Sequence, residues 1–110
     1  MQIAARHLDK ITIFDISGDI DLATSPELRK ALLRELRDLK IPRVVLNLER
    51  VRYIDSSGVA SLVEGLKASR DVGSRLVLFG VNRTIREVLQ LSKLLKLFEI
   101  YENEKQSVAP

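Results

Sequence analysis

Two continuous apolar runs of strand length, "RVVLNL" (residues 43–48) and "RLVLFG" (residues 75–80), bracket a stretch in which Val59, Leu62, Val63 and Leu66 recur at helical spacing. This arrangement constrains the fold more than any other feature of the chain. A strand with one wet face alternates apolar and polar residues, so an unbroken apolar run marks a strand covered on both faces. Buried strands joined through an amphipathic helix imply an α/β layer with parallel pairs at its centre.

The flanking sequence extends that layer. Met1, Ile3 and Ala5 lie on one side of an extended segment, Leu8-Asp9-Lys10 reads as a turn, and Ile11, Ile13 and Asp15 continue the alternation up to Gly18. A short strand, a hairpin and a longer strand result, and the hairpin makes the sheet mixed. In "DIDLATSPELRKALLRELRDLK", Thr24 and Glu27 have capping-box spacing and Pro26 suits a first helical turn. Leu28, Leu32, Leu36 and Leu39 then form a stripe opposite Arg29, Lys30, Arg34 and Arg37, which predicts a helix ending near Lys40, just before Pro42. Gly73 caps the second helix, and Asn82 caps a third with Ile85, Val88 and Leu89 inward. "LFEIY" adds a last short strand. The order is β-β-α-β-α-β-α-β, with one domain over residues 1–102 and a polar tail, 103–110, expected to fray.

Length and composition narrow the function. A chain of 110 residues suits a single core without staples. It contains no Cys, which excludes disulfides and thiolate metal sites and fits a reducing compartment. No apolar run resembles a signal peptide or reaches membrane-spanning length, so a soluble, cytoplasmic protein without direct membrane insertion is expected. The 18 Lys+Arg against 15 Asp+Glu are interspersed, and two Tyr, three Phe and no Trp offer little for base stacking. Nucleic acid is therefore not expected as a partner.

In open α/β sheets, sites form where carboxyl ends of strands meet helix N-termini. Two segments fall there: "SGDIDLATS" (17–25) and "YIDSSG" (53–58). The Asp-Ser-Ser-Gly corner is compatible with simple helix capping, worth about 1 kcal/mol, with Gly58 admitting a neighbouring backbone. A nucleophilic serine lacks support. The elbow pattern would need Gly at Ile54, and the only imidazole is His7, in the first strand or its turn. No nucleotide-binding glycine motif is present, and Asp21 and Asp55 would repel a bound phosphate. A phosphoaspartyl receiver is equally unsupported, because Asp19 and Asp21 follow a hairpin. The remaining possibility is a hydroxyl that accepts a phosphoryl group from another protein. A phosphate at a first helical turn meets the positive end of the helix dipole, so the helix would survive while the surface became strongly anionic.

The stretch "LNLERVRYIDSSGVASLVEGLKASRDVGSRLVLFGVNRTIREVLQLSKLLKLFEIY", together with "FDISGDIDLATSPELRKAL", resembles the STAS domain of bacterial anti-sigma factor antagonists of the SpoIIAA and RsbV type. The likeness runs from about Thr12 to Tyr101. It implies a mixed sheet with helices packed largely on one side, and a regulator rather than an enzyme, with no catalytic residues, cofactor or metal. It also implies partner switching. The unphosphorylated form binds an anti-sigma factor with serine kinase activity and so frees the sigma factor; phosphorylation on Ser56 abolishes binding, and a metal-dependent protein phosphatase reverses it. By the same resemblance, Asp21, Asp55, Ser57 and Gly58 surround the acceptor. The implied partner surface comprises Asp19, Asp21, Thr24, Ser25, Ser56, Ser57, Val59 and Ala60. STAS domains also occur as accessory subunits of lipid-transport ABC complexes and as scaffolds in sensory assemblies, which are the alternative expectations.

Overall fold

In the computed structural model, which describes residues 1–110, both apolar runs become inner strands of one five-stranded sheet. The strands are β1 (Gln2–Leu8), β2 (Ile11–Ser17), β3 (Arg43–Arg50), β4 (Arg75–Phe79) and β5 (Glu99–Tyr101), and their spatial order follows the chain. β1 and β2 form the antiparallel hairpin, turning at Asp9 with φ of 53°, and every later neighbour is parallel. The helices are α1 (Ser25–Leu33), α2 (Ser56–Asp71), α3 (Arg83–Leu91) and α4 (Glu104–Val108).

The strand alternation sorts the core into two layers. Phe14 and Ile16, Val44, Leu46 and Leu48, and Leu76 and Leu78 share one face. Against it lie Leu28, Leu32 and Leu36, then Leu62 and Leu66 of α2, and Ile85 and Leu89 of α3, so three helices cover that side. Gly65 makes the α1–α2 crossing close: a Cβ there would sit 3.0 Å from Leu32 Cδ1. Ile13, Val45, Val77 and Phe79 form a smaller cluster on the opposite face.

That second cluster explains why the expected frayed tail is wrong. Residues 103–110 carry α4, whose Val108 packs on the Ile13–Phe79 cluster beside Tyr101. Asn103 Oδ1 accepts the Gln106 N–H at 2.9 Å, capping the helix. Arg43 donates to the Ser107 and Ala109 carbonyls at 3.1 and 2.8 Å, and Ser107 is fully buried. Arg6 bridges Asp15 (2.6 Å) and Glu104 (2.6 Å), tying the hairpin to α4. The Arg6 guanidinium holds the Asp15 carboxyl below the usual carboxylate range, assisted by a hydrogen bond from Asn47. Deleting residues 103–110 should therefore cost about 1.5 kcal/mol, because apolar area on β3 and β4 returns to water. Urea unfolding measures this, and an unchanged midpoint would mean that α4 contributes nothing.

The first helix also departs from the regular stripe. It is α-helical to Leu33 and continues as a π-helical turn over Arg34–Asp38, with the Leu39 N–H bonded to the Arg34 carbonyl at 3.0 Å. The wider turn breaks the three- and four-residue spacing. Leu36 stays in the core, Leu39 swings out to 50% exposure, and Glu35, three residues beyond Leu32 on the inward side, is buried.

Candidate functional site

The two segments singled out at the carboxyl ends of the strands come together. Past the ends of β2 and β3 the chain keeps pairing: Ile20 and Ile54 form a parallel bridge, with the Ile20 N–H bonded to the Tyr53 carbonyl (3.0 Å) and the Asp55 N–H to the Ile20 carbonyl (3.1 Å). Both isoleucines are buried, so the two loops share an apolar floor.

Asp55 binds the pair from above. It is the extended residue before α2, and its Oδ1 accepts the Gly58 N–H at 3.0 Å as a helix cap. Its Oδ2 accepts the Leu22 N–H at 3.1 Å, so a single carboxylate holds both the α2 start and the acidic loop. Asp21 organises that loop internally: its Oδ1 accepts the N–H groups of Ala23 (3.0 Å) and Thr24 (3.1 Å). The capping box expected at Thr24 and Glu27 does not form. The Thr24 hydroxyl turns back, accepting the Asp21 N–H at 2.9 Å and lying 2.9 Å from the Asp19 carbonyl, while Glu27 stays exposed. Asp21 replaces it as the organiser, and its carbonyl receives the Ser25 N–H at 2.7 Å.

Gly58 has the steric role expected of it. A Cβ there would lie 2.5 Å from Ile54 Cγ1 and 2.8 Å from both Ile20 Cγ2 and the Ile20 carbonyl oxygen. No side chain fits, and the close approach of the acidic loop to α2 depends on this residue.

Ser56 opens α2 and is exposed, and no hydrogen bond within the chain engages its Oγ. Ser57 is half-buried, and its carbonyl accepts the Ser61 hydroxyl at 3.2 Å. Ser61 also bonds the Ser25 carbonyl at 3.2 Å, joining the first turns of α1 and α2. Asp19, Asp21 and Thr24 are half-buried, and Ala60 is exposed one turn beyond Ser56.

Two residues of the expected partner surface are buried. Ser25 is 5% exposed and Val59 is 7% exposed, the first wedged between helices and the second in the main core. Two exposed apolar residues outside that expectation border the same loops. Leu22 is 75% exposed at the tip of the acidic loop, and Tyr53 is 47% exposed just before the Asp-Ser-Ser-Gly corner. Leu22 follows Asp21 and Tyr53 lies two residues before Asp55, and neither falls on a helical or strand period.

No imidazole lies near Ser56. His7 pairs with Thr12 on the hairpin, at the end of β2 remote from Gly18. No group of three or more His, Asp or Glu residues converges to hold a metal ion. The arrangement presents a free hydroxyl at a helix start, bordered by carboxylates and two exposed apolar side chains.

Comparison with known proteins gives this site a context. The STAS domain family model matches residues 2–107. An anti-sigma-B factor antagonist of Listeria monocytogenes is 34% identical over 101 residues, covering 91% of this chain and 86% of that protein. An anti-sigma F factor antagonist of Paenibacillus polymyxa is 28% identical over 104 residues, covering 94% and 89%. Among solved structures, the Bacillus cell fate determinant SpoIIAA in its phosphorylated form superposes with a TM-score of 0.76 at 19% identity, covering 97% of this chain and 96% of that one. With its fold, its family match over residues 2–107 and these relatives, the chain belongs to the STAS domain family of anti-sigma factor antagonists.

Proposed function

We propose that this protein is an anti-sigma factor antagonist that works by partner switching, with Ser56 as the phosphoryl acceptor. The observation that carries the reading is an exposed, unengaged hydroxyl on the first residue of α2, beside an acidic loop tied to the same helix by Asp55. The relatives named above are antagonists of anti-sigma factors, and one SpoIIAA structure is of a phosphorylated form.

In the unmodified state the docking surface is the acidic loop and the exposed start of α2. Leu22 and Tyr53 give it apolar anchors, while Asp19, Asp21, Ser56, Ser57 and Ala60 complete the patch. The partner is an anti-sigma factor with serine kinase activity. Its capture by this chain releases the sigma factor.

In the reverse step the Ser56 oxygen attacks the γ-phosphorus of ATP held by the partner. The bond to the β-phosphate oxygen breaks, ADP leaves, and the hydroxyl proton passes to a base on the kinase. The site gains a charge of about −2. The open N–H groups at the start of α2 and the helix dipole tolerate that charge, so the fold stands. The neighbouring carboxylates reinforce its field, and the partner is expelled. A metal-dependent phosphatase then hydrolyses the ester to serine and inorganic phosphate. Both transactions take place in the cytoplasm, and this chain supplies no catalytic group.

Titration calorimetry with the cognate anti-sigma factor tests the docking half. A saturable complex is expected, weakened about tenfold by Leu22→Ala because an exposed apolar anchor is removed. The melting temperature should stay unchanged, since Leu22 is outside the core. Full affinity in the variant would remove the loop tip from the interface.

A further inference from the structure

We propose that a second site, on the hairpin side of the first helix, binds a small zwitterionic amino acid with an apolar side chain. This inference is independent of the switching role of Ser56. It starts from Glu35, which is only 5% exposed and has neither an ion pair nor a side-chain hydrogen bond. No fully sealed side-chain polar atom in the protein lacks a partner, so the Glu35 carboxylate must reach open space. That space is a cavity of about 340 Å³ between β1, β2 and the π-helical turn, within the size range of small-molecule sites.

The lining defines the ligand. Ala5, Phe14, Ala31 and Leu39 supply apolar wall, and Glu35 and Arg34 supply one charge of each sign. The two are adjacent in sequence and do not pair with each other. His7 completes the wall and is held by Thr12, its Nδ1 3.3 Å from Oγ1. A simple amine would meet Arg34 with the wrong charge, and a simple carboxylate would meet Glu35. A molecule with an ammonium for Glu35, a carboxylate for Arg34 and an aliphatic chain against Phe14 and Leu39 satisfies all three requirements.

The backbone supports a binding role. In a regular α-helix Glu35, three residues beyond Leu32 and seven beyond Leu28, would share the inward stripe with Leu39. The π-helical turn keeps Glu35 inward and swings Leu39 out to the wall of the cavity, and such turns within α-helices frequently mark functional sites. The Glu35 carboxylate opens only onto this cavity and has no ion pair within the chain, and a ligand ammonium would supply one.

Titration of the full-length protein with L-leucine, followed by calorimetry and amide NMR shifts, tests the proposal. Saturable binding is expected below ~10 mM, with shifts on Ala5, Phe14 and Glu35. Isoamylamine and isovalerate, each lacking one charged group, should bind at least about tenfold more weakly. Glu35→Gln should abolish leucine binding while leaving the melting temperature equal or higher. Arg34→Gln, at an exposed position, should weaken leucine and strengthen isoamylamine. Absence of saturable binding, unchanged affinity in either variant, isoamylamine binding as well as leucine, or a Glu35→Gln variant that melts lower or fails to fold would each overturn the assignment.

Discussion

If Ser56 is the acceptor proposed above, Ser56→Ala should abolish phosphorylation by the anti-sigma factor kinase while the complex with that partner still forms. Three features make this the largest functional effect expected. The Ser56 oxygen is exposed and unengaged, so its removal breaks no hydrogen bond of the fold. The helix cap belongs to Asp55, whose bonds to Gly58 and Leu22 do not involve residue 56. Ala is also well tolerated in a helix, so stability should stay within about 0.5 kcal/mol. Intact-mass analysis after incubation with kinase and ATP should show one added phosphoryl group on the wild type and none on the variant. Phosphate on Ser57 or Thr24 of the variant would contradict the assignment. Loss of partner binding together with the phosphate would point to Ser56 as a contact rather than an acceptor.

Gly58→Ala should have the largest effect on stability, about 3 kcal/mol and a fall of roughly 15 °C in melting temperature. The introduced methyl meets a backbone oxygen at 2.8 Å, which has no rotamer to escape into, as well as two fully buried isoleucines. Relief requires α2 to move away from the acidic loop, which stretches the Asp55–Leu22 bond. The damage would therefore extend from stability to the docking surface. Thermal unfolding followed by circular dichroism measures the first, and the rate of Ser56 phosphorylation measures the second. A variant as stable as the wild type would mean that the two loops are not held at this separation.

Much of the architecture was legible in the residues. Unbroken apolar runs gave β3 and β4, and stripes such as Leu28, Leu32 and Leu36 gave the helices that cover them, because burial on one or two faces leaves a period in the sequence. Gly58 was legible as a point of close approach. The losses have physical causes. α4 is held by one apolar residue, Val108, and by Arg43 and Arg6 reaching from distant strands, so apart from its cap at Asn103 nothing local announces it. The π-helical turn is a backbone choice that no side-chain period announces, and it swings Leu39 off the inward stripe. Thr24 has the spacing of a cap, yet its hydroxyl is taken by Asp21 and Asp19. Val59 carried conflicting assignments: its place on the inward stripe with Leu62 and Leu66 excludes it from a contact surface, and burial decides the matter. Leu22 and Tyr53 escaped notice because exposed apolar side chains leave no period.

In the proposed switch, a charge of about −2 changes who can dock without changing the fold. The most direct test is the affinity of the anti-sigma factor for the unmodified chain and for the chain phosphorylated on Ser56, with the melting temperature recorded on both samples. The prediction is a loss of affinity of about a hundredfold or more, with melting temperatures within a few degrees of each other. Equal affinities, or a phosphorylated form that has lost its cooperative transition, would contradict it.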